Sequence, residues 1–386
     1  MSTHRRDFLK TLALGGAAVG LGALGVPRAR ADFAPMKARK KLRILVLGGT
    51  RFLGLHAVKI AMARGHEVTL FNRGRSNPGL FPDLVQLRGD RNDDLKALET
   101  GTWDAVIDTS GYVPRVVSMS CDLLRDRVEH YLFVSTISVY ADFDEIGLHE
   151  GSAVGKLEDE SIEQITGETY GPLKALCEQA AERSMPGRVW NLRPGLIVGP
   201  NDRSDRFTYW PLRLQRGGRV LAPEGPAEPV QIIDVRDLAE FMIDGLERRV
   251  TGVMNAVSPP DQMSMGEMLD TCRAVAGTEA EFAWVPTEFL AEHEVQAWSD
   301  MPCWIPKSEE AGAGTIQVRR ALDAGLVYRP LSETVRDTLD WWATEPAERR
   351  EAPLRSGLTE AREAEVLAEW DESRGMKHDA LGTRMD

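Results

Sequence analysis

Tyr170 and Lys174 are the residues whose types and spacing offer chemistry most directly. Side chains four apart share one face of a helix. The run from Gly171 through Ala181 has a helical pattern, so phenol and ammonium can point the same way. A tyrosine is a poor base at neutral pH, because its ordinary pKa is about 10. A neighbouring cation favours the phenolate and lowers that value. Such a pair needs a third group to hold the substrate oxygen while the proton moves. The run Tyr131-Leu-Phe-Val-Ser-Thr-Ile-Ser-Val-Tyr140 reads as an apolar strand ending in hydroxyls, and Ser135, Thr136 and Ser138 are the candidates.

A second cluster lies near the start of the globular sequence. Gly48-Gly49-Thr50-Arg51-Phe52-Leu53-Gly54 follows the apolar strand Leu42–Leu47. A helical pattern from His56 to Arg64 and a strand from Glu67 to Phe71 come next. This is a βαβ unit with a glycine-rich first turn, the arrangement that brings backbone close to a dinucleotide pyrophosphate at a helix N-terminus. The spacing departs from the common form, with Arg51 where a middle glycine is usual. Asn72-Arg73-Gly74-Arg75 stands where an NAD site usually offers an acidic residue. Arg51, Arg73 and Arg75 can receive a 2′-phosphate, which favours NADP over NAD.

The elements that must position these residues follow in alternation. Leu87-Arg-Gly-Asp90-Arg91 ends a third strand, Trp103 to Gly111 holds a fourth, and the hydroxyl-tipped segment is the fifth. Helical patterns fill 94–100 and 113–128. The fold class expected is α/β, a Rossmann doubly wound parallel sheet with its ligand at the carboxyl ends of the strands. A smaller C-terminal substrate lobe is expected after it.

Composition narrows the function classes. The chain has 386 residues and a net charge of −12, which opposes nucleic-acid binding because phosphate affinity comes from clustered Lys and Arg. Cys121, Cys177, Cys272 and Cys303 form no C-x-x-C pair, so no structural metal site is expected. Arg5-Arg6-Asp-Phe-Leu-Lys10, the apolar run Thr11–Val26 and Ala29-Arg-Ala31 resemble a twin-arginine export signal. That reading implies a periplasmic protein with no membrane attachment after cleavage. Removing residues 1–31, with five basic and one acidic residue, leaves 355 residues and a net charge of −16. The expected organisation is a signal over 1–31 and a dinucleotide domain over 40–200, completed by strands near 230–256. A substrate lobe over 201–345 and a charged helical tail over 346–386 follow.

In this order the motifs resemble the extended short-chain dehydrogenase/reductase family, whose common members are NAD-dependent sugar epimerases and dehydratases. The resemblance runs from Leu42 to about Trp342. Besides the segments above it rests on Asn191-Leu-Arg-Pro-Gly-Leu-Ile-Val-Gly-Pro200 and Asp234-Val-Arg-Asp237. The Gly-Gly-Thr-Arg-Phe-Leu-Gly turn looks like an atypical branch that includes chloroplast stem-loop RNA-binding relatives. The resemblance implies Thr136 as the catalytic hydroxyl, ahead of Ser135 and Ser138, and Tyr170 as the acid/base. Lys174 would bind the nicotinamide ribose and depress the tyrosine pKa. Asp90 and Arg91 would contact adenine, and Thr109, Ser110 and Gly111 would line the cofactor. It also suggests a homodimer through the 113–128 and 170–181 helices.

Two departures bear on substrate. Val230 stands where the family usually places a pyrophosphate-gripping Arg. Between Thr136 and Tyr170 lie nine acidic residues, Asp142, Asp144, Glu145, Glu150, Glu158, Asp159, Glu160, Glu163 and Glu168, against the single base Lys156. Beside an active site they would repel a diphosphate. Trp210, Trp284, Trp298 and Trp304 read as core residues that could also stack on a ring. The leading expectation is an exported sugar epimerase/dehydratase-like oxidoreductase acting on a small molecule, which uses Thr136, Tyr170 and Lys174 with a tightly bound, recycled NAD or NADP. An NAD(P)-dependent carbonyl or isoflavone-type reductase and a non-catalytic nucleotide- or RNA-binding protein are the alternatives.

Overall fold

The computed structural model describes residues 40–375, with two short strands, Lys377–His378 and Arg384–Met385, beyond them. The expected export segment lies outside the described residues. The first βαβ unit is β1 (Arg43–Leu47), α1 (Phe52–Ala63) and β2 (Glu67–Asn72). Then come β3 (Val85–Arg88), β4 (Trp103–Asp108), α2 (Pro114–Leu124), β5 (Val128–Val134), α3 (Gly167–Ser184) and β6 (Val189–Pro194). The chain continues through β7 (Leu196–Val198), α4 (Tyr209–Gln215), β8 (Arg219–Pro223), β9 (Ile232–Asp234), α5 (Val235–Arg248) and β10 (Gly252–Ala256). The C-terminal part holds α6 (Met265–Ala276), β11 (Glu281–Val285), α7 (Thr287–Glu292), α8 (Arg319–Asp323), α9 (Leu331–Thr344), α10 (Ala347–Glu351) and α11 (Glu360–Ser373).

Seven strands form one parallel sheet in the order β10-β6-β5-β4-β1-β2-β3. Strand side chains alternate between faces, and here both faces are covered. Ile44, Val46, Ala105, Ile107 and Leu132 join a core with residues of α1 and α5. Leu45, Leu47, Val106, Tyr131 and Phe133 join a second core with residues of α2 and α3. That double burial is why the strands read as continuous apolar runs. The order reverses between β1 and β4, so the crevice of the sheet opens at their carboxyl ends.

A separate core, from Leu196 to Val366, gathers α4, α6, β8 and much of the C-terminal part. Pairing of β7 with β9 and of β8 with β11 builds two small parallel sheets there. Of the late strands expected to complete the main sheet, β10 does so and β9 does not. The tail helix α11 docks on this lobe. Glu363 accepts from Arg213 at 2.5 Å and from the Leu221 amide at 3.1 Å, and Asp371 pairs with Arg219.

Three local expectations change. The 94–100 pattern is only a 3-10 turn at Lys96–Leu98, between the Asp90–Asp94 bridge and the left-handed Gly101 (φ +96°) ahead of β4. The 113–128 helix ends at Leu124, since Val128 already pairs with Trp103. The hydroxyl-tipped strand stops at Val134 and gives way to a 3-10 turn at Ile137–Val139.

Candidate functional site

The glycine turn follows from close approach. Gly48 (φ +111°) and Gly49 (φ +90°) adopt backbone that other residues rarely take. A side chain on Gly48 would meet Thr109 Oγ1 at 2.9 Å. A Cβ on Gly54 would lie 2.9 Å from Gly49 Cα, so the start of α1 can rest on the turn only with glycine there. Arg51, in place of a middle glycine, is exposed and leaves the turn unobstructed. At the end of β4, Thr109 and Ser110 donate to the Leu47 carbonyl at 3.2 and 3.1 Å, fixing the opposite lip.

Tyr170 reaches the same crevice through α3. Thr166 and Thr169 cap that helix reciprocally, at 3.2 and 2.9 Å. The decisive contact is made by Gly171, whose Cβ would stand 2.0 Å from the Ser138 carbonyl oxygen. Only glycine allows α3 to press onto the 136–139 turn. Thr136 is buried, its Oγ1 accepting from the Ser138 amide and donating to Ser138 Oγ, both at 3.1 Å.

Lys174 is sealed beneath. Its Nζ donates to the Gly111 and Val134 carbonyls, each at 2.7 Å, and lies 4.1 Å from the Phe133 ring centroid. Burial pulls its pKa down to about 8. Lys174 is not among the main influences on the Tyr170 pKa. Burial and then Tyr112 raise the Tyr170 pKa, opposed by the Thr136 hydroxyl and by Arg206. Two of the three ammonium protons go to backbone carbonyls, and loss of solvent is the largest influence on the phenol.

These residues share one cleft of about 1210 Å³. Its lining includes Gly48, Gly49, Thr50, Arg51, Phe52, Leu53 and Gly54, with Asn72, Arg73, Asp90, Arg91, Thr109, Ser110, Thr136, Tyr170 and Lys174. Gly111 does not line it and serves instead through its carbonyl. Arg91 reaches the lining, but its guanidinium is committed to Asp108, at 2.5 and 2.8 Å, with Ser120 at 3.2 Å. Tyr131 donates to the same carboxylate at 2.8 Å. The Arg91 guanidinium is thus a buried prop under β4, while Asp90 and Arg91 both stay in the lining where an adenine contact is expected of them. Asn72 Oδ1 accepts from the Gly74 amide at 2.9 Å and from Arg88.

A dinucleotide fits this surface. The glycine cradle leaves room for a pyrophosphate at the start of α1. Asn72 Nδ2 and Ser135 Oγ are buried without a partner among the described residues, and both belong to residues of the lining.

The second wall was less visible. Tyr112, Asp202, Arg206, Trp298, Glu309 and Glu310 line it. Tyr112 was missed although it follows Gly111 at a strand end; its ring lies 6.5 Å from that of Tyr170. Nothing local marks Asp202, Glu309 or Glu310, which arrive from a distant part of the chain. None of the nine acids between Thr136 and Tyr170 lines the cleft, although Phe143 and Gly167 of the same segment do. Glu150 accepts from the Asn255 amide at 3.0 Å, and Glu163 pairs with Arg115 at 2.6 Å. Val230, 2% exposed, belongs to the lobe core, while its neighbours Pro229 and Gln231 line the cleft. Trp210 and Trp304 are core, and Trp298 is the tryptophan that reaches the site.

A doubly wound sheet with a glycine cradle and a hydroxyl–tyrosine–lysine group at one crevice defines a Rossmann-type dinucleotide fold of the epimerase kind. The sequence profile of the NAD dependent epimerase/dehydratase family matches residues 44–256, and the chain belongs to that family. It is 28% identical over 267 residues to the Arabidopsis thaliana chloroplast stem-loop binding protein of 41 kDa b. That match covers 63% of this chain and 65% of the relative, so it spans less than two thirds of the relative's length. Among solved structures the fold is similar to the human epimerase family protein SDR39U1 with NADPH (21% identity, TM-score 0.52, 77% of this chain and 99% of that one). It is also similar to UDP-glucuronic acid 4-epimerase from Bacillus cereus with NAD (14% identity, TM-score 0.56, 79% and 99%).

Proposed function

We propose that the chain is an NAD(P)-dependent enzyme that oxidises and re-reduces a hydroxyl-bearing small molecule, as an epimerase or dehydratase does. The observation that carries this reading is the convergence of Thr136, Tyr170 and Lys174 with the glycine cradle on one cleft. The bound dinucleotide would supply a hydride acceptor and donor at that cleft. Thr136 would hold the reacting oxygen of the substrate, and Tyr170 would exchange its proton. Burial keeps Tyr170 a phenol at neutral pH, so it stands ready as the proton donor to a carbonyl oxygen. Lys174 would hold the floor of the site and present its charge to the cofactor ribose. Relatives solved with NAD and with NADPH support either cofactor, and Arg51, Arg73 and Arg75 at the cleft favour NADP.

The twin-arginine reading of residues 1–31 belongs to the same proposal. Free nicotinamide nucleotide is not expected outside the cytoplasm, so an exported enzyme would keep its cofactor bound and regenerate it in each cycle. Mass spectrometry of natively purified protein tests this, with about one NAD or NADP per chain expected. Tyr170→Phe should retain the nucleotide and lose about 10²–10⁴-fold in turnover of the recovered substrate. Protein that carries no nucleotide and binds none in calorimetry would sink the reading.

A further inference from the structure

Both substrate-side residues Arg206 and Trp298 sit on loops held from elsewhere. The Arg206 guanidinium lies over the Trp298 ring, 5.2 Å from its centroid, and its Nε donates to Ser204 Oγ at 3.0 Å. No carboxylate pairs with Arg206 within 4.0 Å among the described residues. The loops are strained, with left-handed backbone at Asn201 (φ +74°), Asp205 (φ +63°), Trp298 (φ +66°) and Cys303 (φ +68°). Such conformations persist only where the surroundings over-determine them.

What over-determines them is the segment between α9 and α11. Arg349 pairs with the fully buried Asp205, whose carboxylate also accepts from the Arg355 amide at 2.9 Å. Arg355 Nη1 donates to the Arg203 carbonyl at 2.8 Å, and Ser356 Oγ to the Ser204 carbonyl at 3.0 Å. One residue on, the Gly357 amide donates to the Ser299 carbonyl at 2.7 Å. Residues 349–357 thus tie the loop before Arg206 and the loop after Trp298 together, while α11 anchors the far end through Arg213–Glu363 and Arg219–Asp371.

We propose that residues 349–357 form a positioning strap that fixes Arg206 and Trp298 as the substrate-recognition pair, selecting a ring-bearing ligand with one negative charge. This rests on the cleft being the active site, as argued above. Trp298, 39% exposed, offers a flat face for a ring. Arg206 is the base on that wall, Lys174 being sealed by two carbonyls, and Asp202, Glu309 and Glu310 share the wall with it. One carboxylate can pair with Arg206, whereas a diphosphate would bring at least one further negative charge against Asp202, Glu309 and Glu310.

The test uses the full chain with iodide as a monoanion probe and acrylamide as a neutral one. Emission due to Trp298 is taken as the difference from Trp298→Phe. In Arg206→Gln, iodide quenching of that emission should fall by about half or more, with acrylamide quenching unchanged. Ser356→Ala and Arg349→Gln should each raise amide exchange about 10-fold or more at both 201–206 and 298–303 and lower iodide quenching. Dinucleotide affinity should stay within about 2-fold, and Arg349→Lys should recover most of the loss. Ser356→Ala deletes one hydroxyl and tests the strap even if Arg349→Gln does not fold. Wild-type exchange and quenching in the strap variants, or unaltered iodide quenching in Arg206→Gln, would overturn the proposal. Absence of NAD(P) binding by the wild type would refute the enzymatic reading separately, because quenching and exchange are read without cofactor.

Discussion

Replacing Gly171 with alanine probes the contact that brings Tyr170 to Thr136. The new methyl would stand 2.0 Å from the Ser138 carbonyl oxygen and 3.0 Å from its carbon, where ordinary contact begins at 3.4 Å. Neither neighbour is a flexible side-chain end, so α3 and the 136–139 turn must part by about 1.4 Å. Overpacking of this kind costs about 1–3 kcal/mol. Alanine returns up to about 1 kcal/mol through helix propensity, leaving a net loss of about 1 kcal/mol in urea unfolding. The functional cost should be larger, because misplacement by about 1 Å lowers turnover roughly 100-fold. Dinucleotide affinity should change little, since the cradle at Gly48, Gly49 and Gly54 is built by α1 and β4. Gly65→Ala is the control. Gly65 has φ +89° and nothing within 4 Å of a Cβ, so its alanine should cost about 1 kcal/mol of strain and leave turnover intact. Wild-type turnover and stability in Gly171→Ala would refute the close-approach reasoning.

Other outcomes follow from the same geometry. Lys174 has a folded pKa of about 8 against an ordinary 10.5, so the unfolded chain binds the extra proton between these values. Wild-type stability therefore gains from this group as pH rises, by about 2–3 kcal/mol between pH 7 and 10. Lys174→Met should lack that gain, and equal pH slopes in urea titrations of the two proteins would contradict the buried ammonium. Arg51→Gln with Arg75→Gln should weaken NADP about 10-fold relative to NAD in calorimetry, the usual scale for losing charge-assisted phosphate contacts. An unchanged ratio would remove these arginines as 2′-phosphate ligands.

Legibility differed by residue for physical reasons. The turn at Gly48–Gly54 and the Tyr170/Lys174 pair could be read because each lies within one or two elements, where spacing fixes geometry. The buried role of the Arg91 guanidinium could not be read, because Asp108 and Ser120 hold it from two other elements and Tyr131 donates to the same Asp108 carboxylate from a third. The acids of 142–168 carry no sign in the sequence of which way they face. Glu150 and Glu163 are claimed by Asn255 and Arg115, far along the chain.

By itself, then, the sequence determined the alternating β and α elements, the parallel sheet and the floor of the cleft, because strand burial, helix periodicity and glycine conformation are local properties. Only the tertiary structure decided the rest. Gly171 sets the distance from Tyr170 to the Thr136 turn, burial is the largest influence on the tyrosine's proton affinity, and residues 349–357 hold the wall that carries Arg206 and Trp298. These features depend on which distant groups meet and on how much water they exclude, and neither quantity is written in the spacing of residues along a chain.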